Sequence, residues 1–210
     1  MLKYLPCYYL RVQLSASRLT QLVGGLLLFG GSLALLVRSR LGLDPWDVFH
    51  QGLAIRSGIP IGTVSILVGA VVLLLWIPLG QRPGIGTIAN VILVGLSLDA
   101  ILAMIPSPAD LGVRWVYLVV GIVLNGIATG AYIGAALGPG PRDGLMVGIA
   151  SRGHSLRVVR TSIELTVLGV GWLMGGTVGV GTVLFAVTIG PIAHVTIPAL
   201  TRRPRSREGA

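Results

Sequence analysis

The sequence predicts an all-α membrane protein in which six transmembrane helices form two inverted repeats of three helices each. Three observations support this prediction: the apolar composition, six long apolar segments, and a similarity between the two halves of the chain. Of the 210 residues, 53% are hydrophobic and 11% are charged, and the mean hydropathy is +0.87. Because soluble domains carry about 25% charged residues, this composition excludes a soluble enzyme and a disordered chain.

Six segments are long and apolar enough to cross the hydrocarbon core of a bilayer, which takes about 20 residues. They are residues 19–37, 59–80, 84–105, 114–137, 157–176 and 178–199. With both termini in the cytoplasm, the inner segments contain twelve basic residues and the outer loops contain four. Basic residues favour the cytoplasmic side, so we expect both termini and the basic tail 200–210 there. Trp76, Trp115 and Trp172 lie near segment ends, where indole rings are enriched.

The net charge of +9 does not indicate a nucleic-acid-binding surface. Such surfaces cluster basic residues among polar or aromatic ones, whereas these arginines separate apolar segments or lie in the tail. The expected partners are therefore the lipid bilayer and a small solute or ion, and not nucleic acid. A homo-oligomer stays open as a further possibility.

The two halves of the chain resemble each other at an offset of 96 residues. The matching segments are 41–47 with 137–143, Trp76 with Trp172 and, after a one-residue gap, 84–87 with 179–182. We therefore expect one polytopic domain, 1–210, made of repeats at about 16–106 and 112–201. Three spans per repeat make the repeats antiparallel, a plan typical of secondary transporters with sites near the bilayer midplane. The alternative is that the duplication only builds a stable bundle.

A short additional helix is predicted after the first span of each repeat, beginning at the Pro-x-Asp patterns 45–47 and 141–143. Proline fits the first helical position, where its missing N–H costs nothing, and Asp44 or Gly140 then becomes the N-cap residue. The third residue, Asp47 or Asp143, either faces the free N–H groups of its helix or meets a cation, proton or amine near the membrane centre. The sequence leaves both open, and does not decide whether the helices are re-entrant or interfacial.

Two glycine patterns predict local structure. The Gly-x-Gly-Thr segments 84–87 and 179–182 are typical of tight turns whose threonine caps the next helix, since a phosphate loop would need a lysine. The fourth span carries four glycines at four-residue spacing, Gly126, Gly130, Gly134 and Gly138. This stripe predicts close helix packing, within the chain or against a second copy.

Ionisable residues inside the predicted spans are the other candidates for a substrate or ion site. Arg160 and Glu164 lie one helical turn apart and can pair, whereas the first repeat has Val64 and Val68 there. Asp99 and His194 occupy matching places near the ends of the third and sixth spans; either reaches the interface or faces the site. No catalytic triad or Cys/His cluster stands out, so we expect no enzyme, no cofactor and no metal site.

These motifs resemble those of the YczE/YyaS/YitT group of bacterial membrane proteins. The matching stretches are 42–47, 84–87, 142–146, Arg160 with Glu164, 175–182 and 190–191, within about residues 20–195. The resemblance implies a multi-span protein of the bacterial cytoplasmic membrane and no particular substrate. Our leading hypothesis is a small permease whose midplane site contains Asp47, Asp143, Arg160 and Glu164. The alternative is a non-transporting membrane partner or regulatory subunit that assembles through glycine-rich helix faces.

Overall fold

The computed structural model describes residues 15–201, and over this range the protein is all-helical, with eight α-helices and no strand. The helices are α1 (Ala16–Ser39), α2 (Pro45–Ser57), α3 (Ile61–Trp76), α4 (Ile85–Met104), α5 (Leu111–Gly134), α6 (Pro141–Ala150), α7 (Leu156–Leu173) and α8 (Val180–Leu200). Every predicted apolar segment overlaps one long helix, and the two predicted short helices are α2 and α6. Residues 202–210, which hold the arginines of the predicted basic tail, lie outside the described residues.

The described helices make this a membrane protein with four or five candidate spans. Helices α1, α4, α5 and α8 are long and apolar enough to cross a bilayer. Helices α2 and α3 count as a fifth span if the pair is taken together, although their axes differ by 113°. Alone, α3 has only 16 residues, and the 18 residues of α7 include three charged ones, Arg157, Arg160 and Glu164. The predicted spans 59–80 and 157–176 are therefore weaker candidates than the other four.

Helices α1 and α5 form the centre of the protein and run antiparallel. Gly25 lies against Ala131 near one end of the pair, and further along Asn125 Nδ2 donates a hydrogen bond of 3.0 Å to Ser32 Oγ. Both of these polar side chains are buried. A satisfied polar pair in an apolar interface fixes the register of the two helices, because any slip leaves buried donors without acceptors.

The glycine stripe of α5 is covered by α8 of the same chain. A side chain at Gly126 would meet Ile192, one at Gly130 would meet Thr196, and one at Gly134 would meet the backbone at Leu200. Gly138 does not belong to this stripe, because α5 ends at Gly134 and Gly138 has a φ of +141° that no helix can continue. It lies instead against Thr87 of α4. The glycine faces that the sequence offered to another helix are thus occupied within the chain.

The Gly-x-Gly-Thr segments are not the tight turns that the sequence predicted, because Gly84 and Gly179 are N-cap residues with extended backbone and α4 and α8 begin directly after them. They join the two halves of the chain, a role that their sequence did not predict. Gly86 N donates to Leu137 O at 2.9 Å, and the equivalent Gly181 N donates to Leu41 O at 2.7 Å. Each threonine also acts as expected, since Thr87 Oγ1 accepts from Gly84 N at 3.2 Å. Each segment therefore caps its own helix and holds the loop that precedes the short helix of the other half.

Trp76 and Trp172 are equivalent in sequence but occupy different surroundings. The Trp76 side chain is 1% exposed, lies against Gly144 of α6, and donates from Nε1 to Pro141 O at 3.0 Å. Trp172 is 64% exposed. The residue of α2 equivalent to Gly144 is Val48, which has a side chain where α6 has none. Trp76 does lie at the end of its helix, as predicted, but its indole packs against α6 inside the protein.

The long helices of the two halves also pair differently. Helix α4 packs along α3, and Asp99 of α4 accepts hydrogen bonds from Gly62 N at 2.7 Å and Thr63 N at 2.8 Å at the start of α3. Helix α8 has no comparable contact with α7, and its residue equivalent to Asp99, His194, is exposed. In the first half, the Asp99 carboxylate thus holds α3 and α4 together, while the second half is open between α7 and α8.

Candidate functional site

A cavity of about 390 Å³ lies where the N-termini of α2 and α6 meet. Its lining includes the first residues of both short helices, together with side chains from all six long helices. Helices α7 and α8 both contribute to its wall without packing against each other, so the cavity is open on that side. Ligand sites in membrane transporters form at such meeting points of half-helices, because their N-termini carry unpaired N–H groups and a positive dipole end.

The two short helices start in the same way but are capped differently. Pro45 and Pro141 occupy the first helical turn, as predicted. In α2 the N-cap residue Asp44 accepts a hydrogen bond of 2.7 Å from Asp47 N through its side chain. In α6 the N-cap residue is Gly140, which has no side chain to offer. The first turn of α6 therefore faces the cavity without the side-chain cap that α2 has.

Arg142, the second residue of α6, bridges the two short helices. Its guanidinium lies 3.3 Å from Asp44 Oδ2 and 3.4 Å from Asp47 Oδ1, and it stacks 5.1 Å from the centre of the Trp46 ring. Two carboxylates and an aromatic face hold one arginine by charge and by cation–π attraction. This contact joins residues almost one hundred positions apart and fixes how the two short helices meet.

Asp47 belongs to a polar network with two residues of the cavity lining, Arg142 and His50. Its side chain is 2% exposed, and Oδ1 receives hydrogen bonds from His50 Nδ1 at 3.0 Å and from Arg142. Asp47 lies in the first turn of α2, as the sequence predicted, but the side-chain cap of that helix comes from Asp44. Asp47 is absent from the cavity lining and serves to anchor Arg142 and His50.

Asp143 occupies the equivalent position in α6, but it lines the cavity and has few partners. Its one hydrogen bond among the described residues comes from Tyr132 Oη, at a long 3.5 Å. Within residues 15–201, no Arg, Lys or His nitrogen lies within 4.0 Å of the Asp143 carboxylate oxygens, so this side chain forms no ion pair there. Asp143 is thus a partly buried carboxylate that faces open space rather than a fixed partner.

Arg160 and Glu164 form the predicted pair on α7, with Nε and Oε1 2.8 Å apart. They line the cavity at its open side, where Arg160 is 60% exposed and Glu164 is 32% exposed. An exposed pair of this kind contributes at most about 1 kcal/mol to stability, so its charges are available for other contacts. The structure therefore brings Asp143, Arg160 and Glu164 together around one cavity.

Two other candidates lie outside the cavity. Asp99 is bound to the start of α3, and His194 lies on the exposed side of α8. The sequence missed further lining residues, of which Asp44, Trp46 and Arg142 carry the bridge between the short helices. One signal could have found them. Asp44 aligns with Gly140, and Trp46 aligns with Arg142, so the bridge is made of residues that differ between otherwise similar segments.

Comparisons with known proteins identify uncharacterized relatives, one of which is described as a membrane protein. The model of a family of unknown function, DUF6198, matches residues 16–198. An uncharacterized protein of Haemophilus influenzae is 44% identical over 171 residues, which are 81% of this chain and 78% of that protein. The uncharacterized membrane protein YczE of Bacillus subtilis is 35% identical over 86% of both chains, and YyaS of the same organism is 25% identical over 85% of this chain and 91% of its own. No solved structure matches the chain significantly. The resemblance to YczE and YyaS that the motifs predicted is confirmed.

Proposed function

We propose that this chain, which belongs to the family of unknown function DUF6198, is a small permease that moves a solute or ion through the cavity between α2 and α6. The observation that carries the proposal is the meeting of two half-helix N-termini around a cavity that also contains charged side chains. Midplane sites of secondary transporters are built in this way, and ionisable groups within membrane segments commonly belong to such sites.

The proposal includes six spans, α1, α3, α4, α5, α7 and α8, with α2 and α6 as re-entrant helices. The sharp bend between α2 and α3 supports this arrangement, since a helix that turns back by 113° can enter and leave the membrane on one face. Helix contacts also recur between the two halves: α1 packs on α4 as α5 packs on α8, and α2 meets α7 as α6 meets α3. Such recurrence is what two inverted repeats would produce.

We place the protein in the bacterial cytoplasmic membrane with both termini in the cytoplasm. The distribution of basic residues supports this orientation, and the relatives come from two bacteria. A reporter active only in the cytoplasm, fused after Ala210, tests it. A fusion that is well expressed but silent would overturn the six-span topology.

Access to the cavity follows from the difference between the two halves. The cavity opens between α7 and α8, while Asp99 closes the equivalent seam between α3 and α4. A permease with inverted repeats exchanges these two arrangements: the first seam opens as the second closes. The structure lends less support to the regulatory alternative, because the glycine stripe of α5 that was predicted to pack against another helix is covered by α8.

Cysteine labelling tests transport without knowledge of the substrate. Replacing the single cysteine, Cys7, with serine gives a background for Val91→Cys and Ala186→Cys, which line the cavity at equivalent places in α4 and α8. A membrane-impermeant maleimide should label each cysteine from both faces of oriented vesicles, because each conformation exposes the cavity to one face. Val195→Cys on the outer side of α8, at a residue 69% exposed, should stay unlabelled in lipid. Labelling of both cavity positions from one face alone would contradict the proposal.

A further inference from the structure

We infer that the cavity selects a small organic cation of the alkylammonium class, with Asp143 as its counter-ion. This inference rests on the proposed function and names the substrate class of the same site. It follows from three features of the lining: the charge that is left unpaired, the aromatic side chains, and the contrast between Asp143 and Asp47.

The charges that line the cavity are unbalanced in favour of acids. The acidic side chains are Asp44, Asp143 and Glu164, and the two arginines are Arg142 and Arg160. Arg142 is held by Asp44 together with the deeper Asp47, and Arg160 is held by Glu164. Four carboxylates therefore meet two guanidinium groups, and Asp143 is the carboxylate without an ion pair. Both arginines attract the Asp143 carboxylate from a longer distance, but each already forms an ion pair with another acidic side chain.

A carboxylate in a membrane cavity is expensive unless a cation or several hydrogen-bond donors accompany it. Asp143 has only the long hydrogen bond from Tyr132. An anion entering the cavity would add to the excess of negative charge, whereas a monovalent cation beside Asp143 would reduce it. The two helix N-termini at the cavity each add a partial positive charge of about +0.5, which is together less than the excess of two carboxylates. The electrostatic balance of the site therefore favours a cationic ligand over an anionic one.

The remaining lining suits an organic cation better than a metal ion. Four aromatic side chains line the cavity: Phe29, Trp46, Tyr132 and Phe185. Phe29 and Tyr132 meet edge to face with ring centres 5.9 Å apart, and Trp46 is already stacked against a guanidinium. Aromatic faces bind quaternary and methylated ammonium groups, which shed water easily. Within residues 15–201, no three His, Cys, Asp or Glu side chains are placed to hold a metal ion together.

The cavity is also of suitable size. Ligand cavities generally measure about 300–1,000 Å³ and combine apolar walls with a few polar groups. At about 390 Å³, this one is at the lower end of that range, and Val94, Met146 and Ile189 supply apolar wall around the charged groups. A compact ammonium ion with a few carbon atoms fits these dimensions.

The test compares two probes of nearly the same shape, choline chloride and its uncharged carbon analogue 3,3-dimethyl-1-butanol. Each is added to the detergent-purified full chain at constant ionic strength, and the apparent Tm is measured. A ligand that binds the native state raises the Tm, so choline should raise it in a concentration-dependent way and the alcohol should not. Sodium acetate, the anionic probe, should also leave the Tm unchanged.

Variants then assign the effect to Asp143. Asp143→Asn should keep its hydrogen bond with Tyr132 and its fold, but weaken choline binding at least tenfold, while Asp143→Glu should restore part of it. Asp110→Asn is the matched control, because Asp110 caps α5 away from the cavity and asparagine caps equally well. Choline should stabilise this control as it does the native chain.

Several results would overturn the inference: equal stabilisation by choline and the alcohol, stabilisation by acetate, no effect of choline at all, or an unchanged choline response in Asp143→Asn. These outcomes are separable from failure of the proposed function. If the cavity cysteines are labelled from both faces but acetate binds, the proposal of transport is retained and the proposal of a cationic substrate is rejected. If choline binding requires Asp143 but the cysteines are labelled from one face only, the cation site is retained and the proposal of transport is rejected.

Discussion

The helices α2 and α6 occupy equivalent places in the two halves of the chain, and their first turns have diverged. In α2, Asp44 caps the helix and Asp47 is buried among His50 and Arg142. In α6, glycine replaces the cap, and Asp143 faces the cavity with one long hydrogen bond. The same pattern of proline and aspartate therefore provides a structural anchor on one side and an unpaired charge on the other. A residue's role here depends on what the opposite half places beside it.

The first prediction uses the equivalent tryptophans. Trp76→Ala should lower the free energy of unfolding by about 3–5 kcal/mol, because it removes a fully buried indole from its slot against Gly144. Trp172→Ala should change it by less than about 0.5 kcal/mol, since that side chain is mostly exposed. Reversible unfolding in detergent micelles measures both values. Equal losses would show that the two halves have the same core.

The second prediction concerns the bridge between the short helices. Arg142→Met should destabilise the protein by about 3 kcal/mol, because it leaves Asp44 and Asp47 without their common partner. Arg160→Met is the control, and we expect a loss below about 1 kcal/mol, because the Arg160–Glu164 pair is exposed. Thermal unfolding of both purified variants provides the comparison. A larger loss for Arg160→Met would mean that the short helices do not depend on Arg142.

The third prediction concerns the hydrogen bonds by which Asp99 of α4 holds the start of α3. Asp99→Ala should cost about 1–2 kcal/mol, the usual loss when a helix N-terminus loses its acceptor. His194→Ala, at the equivalent place on α8, should be neutral, because His194 is exposed. The Asp99→Ala variant should also label faster at Val91→Cys, since the seam that it opens lies beside that residue. Unchanged labelling would show that the Asp99 hydrogen bonds do not control access to the cavity.

The smallest effect on stability is expected at the α7 pair. The double variant Arg160→Leu with Glu164→Leu should fold within about 1 kcal/mol of the native chain, because no charge is left alone. It should nevertheless lose flux or any phenotype that the gene confers, since both side chains line the open side of the cavity. Full retention of that phenotype would reduce the pair to a packing detail.

The sequence predicted the helices well because their signals are local. Apolar length, the proline at each short helix and the threonine that caps α4 or α8 all act within a few residues, and α7 at Leu156–Leu173 lies almost within the segment 157–176. The offset between the halves also predicted which elements are equivalent. The weaker span status of α3 and α7 followed from their short length and their charges, which a hydropathy pattern underweights.

The site was less predictable because its contacts are long-range. Arg142 and Asp44 are separated by 98 residues, and Trp76 and Pro141 by 65. Nothing near Asp47 or Asp143 in the sequence indicates that the first is enclosed by an arginine from the other half and the second is not. Only the differences between the repeats, such as Gly140 against Asp44, pointed toward the divergence.

The central claim, that Asp47 anchors the structure and Asp143 serves the ligand, is tested most directly by unfolding the two asparagine variants without ligand. Asp47→Asn should lower the free energy of unfolding by about 2 kcal/mol, because it removes the charge that holds Arg142 and His50. Asp143→Asn should leave it unchanged or raise it slightly, because a lone carboxylate in the cavity becomes neutral. Equal losses, or a larger loss for Asp143→Asn, would contradict the account.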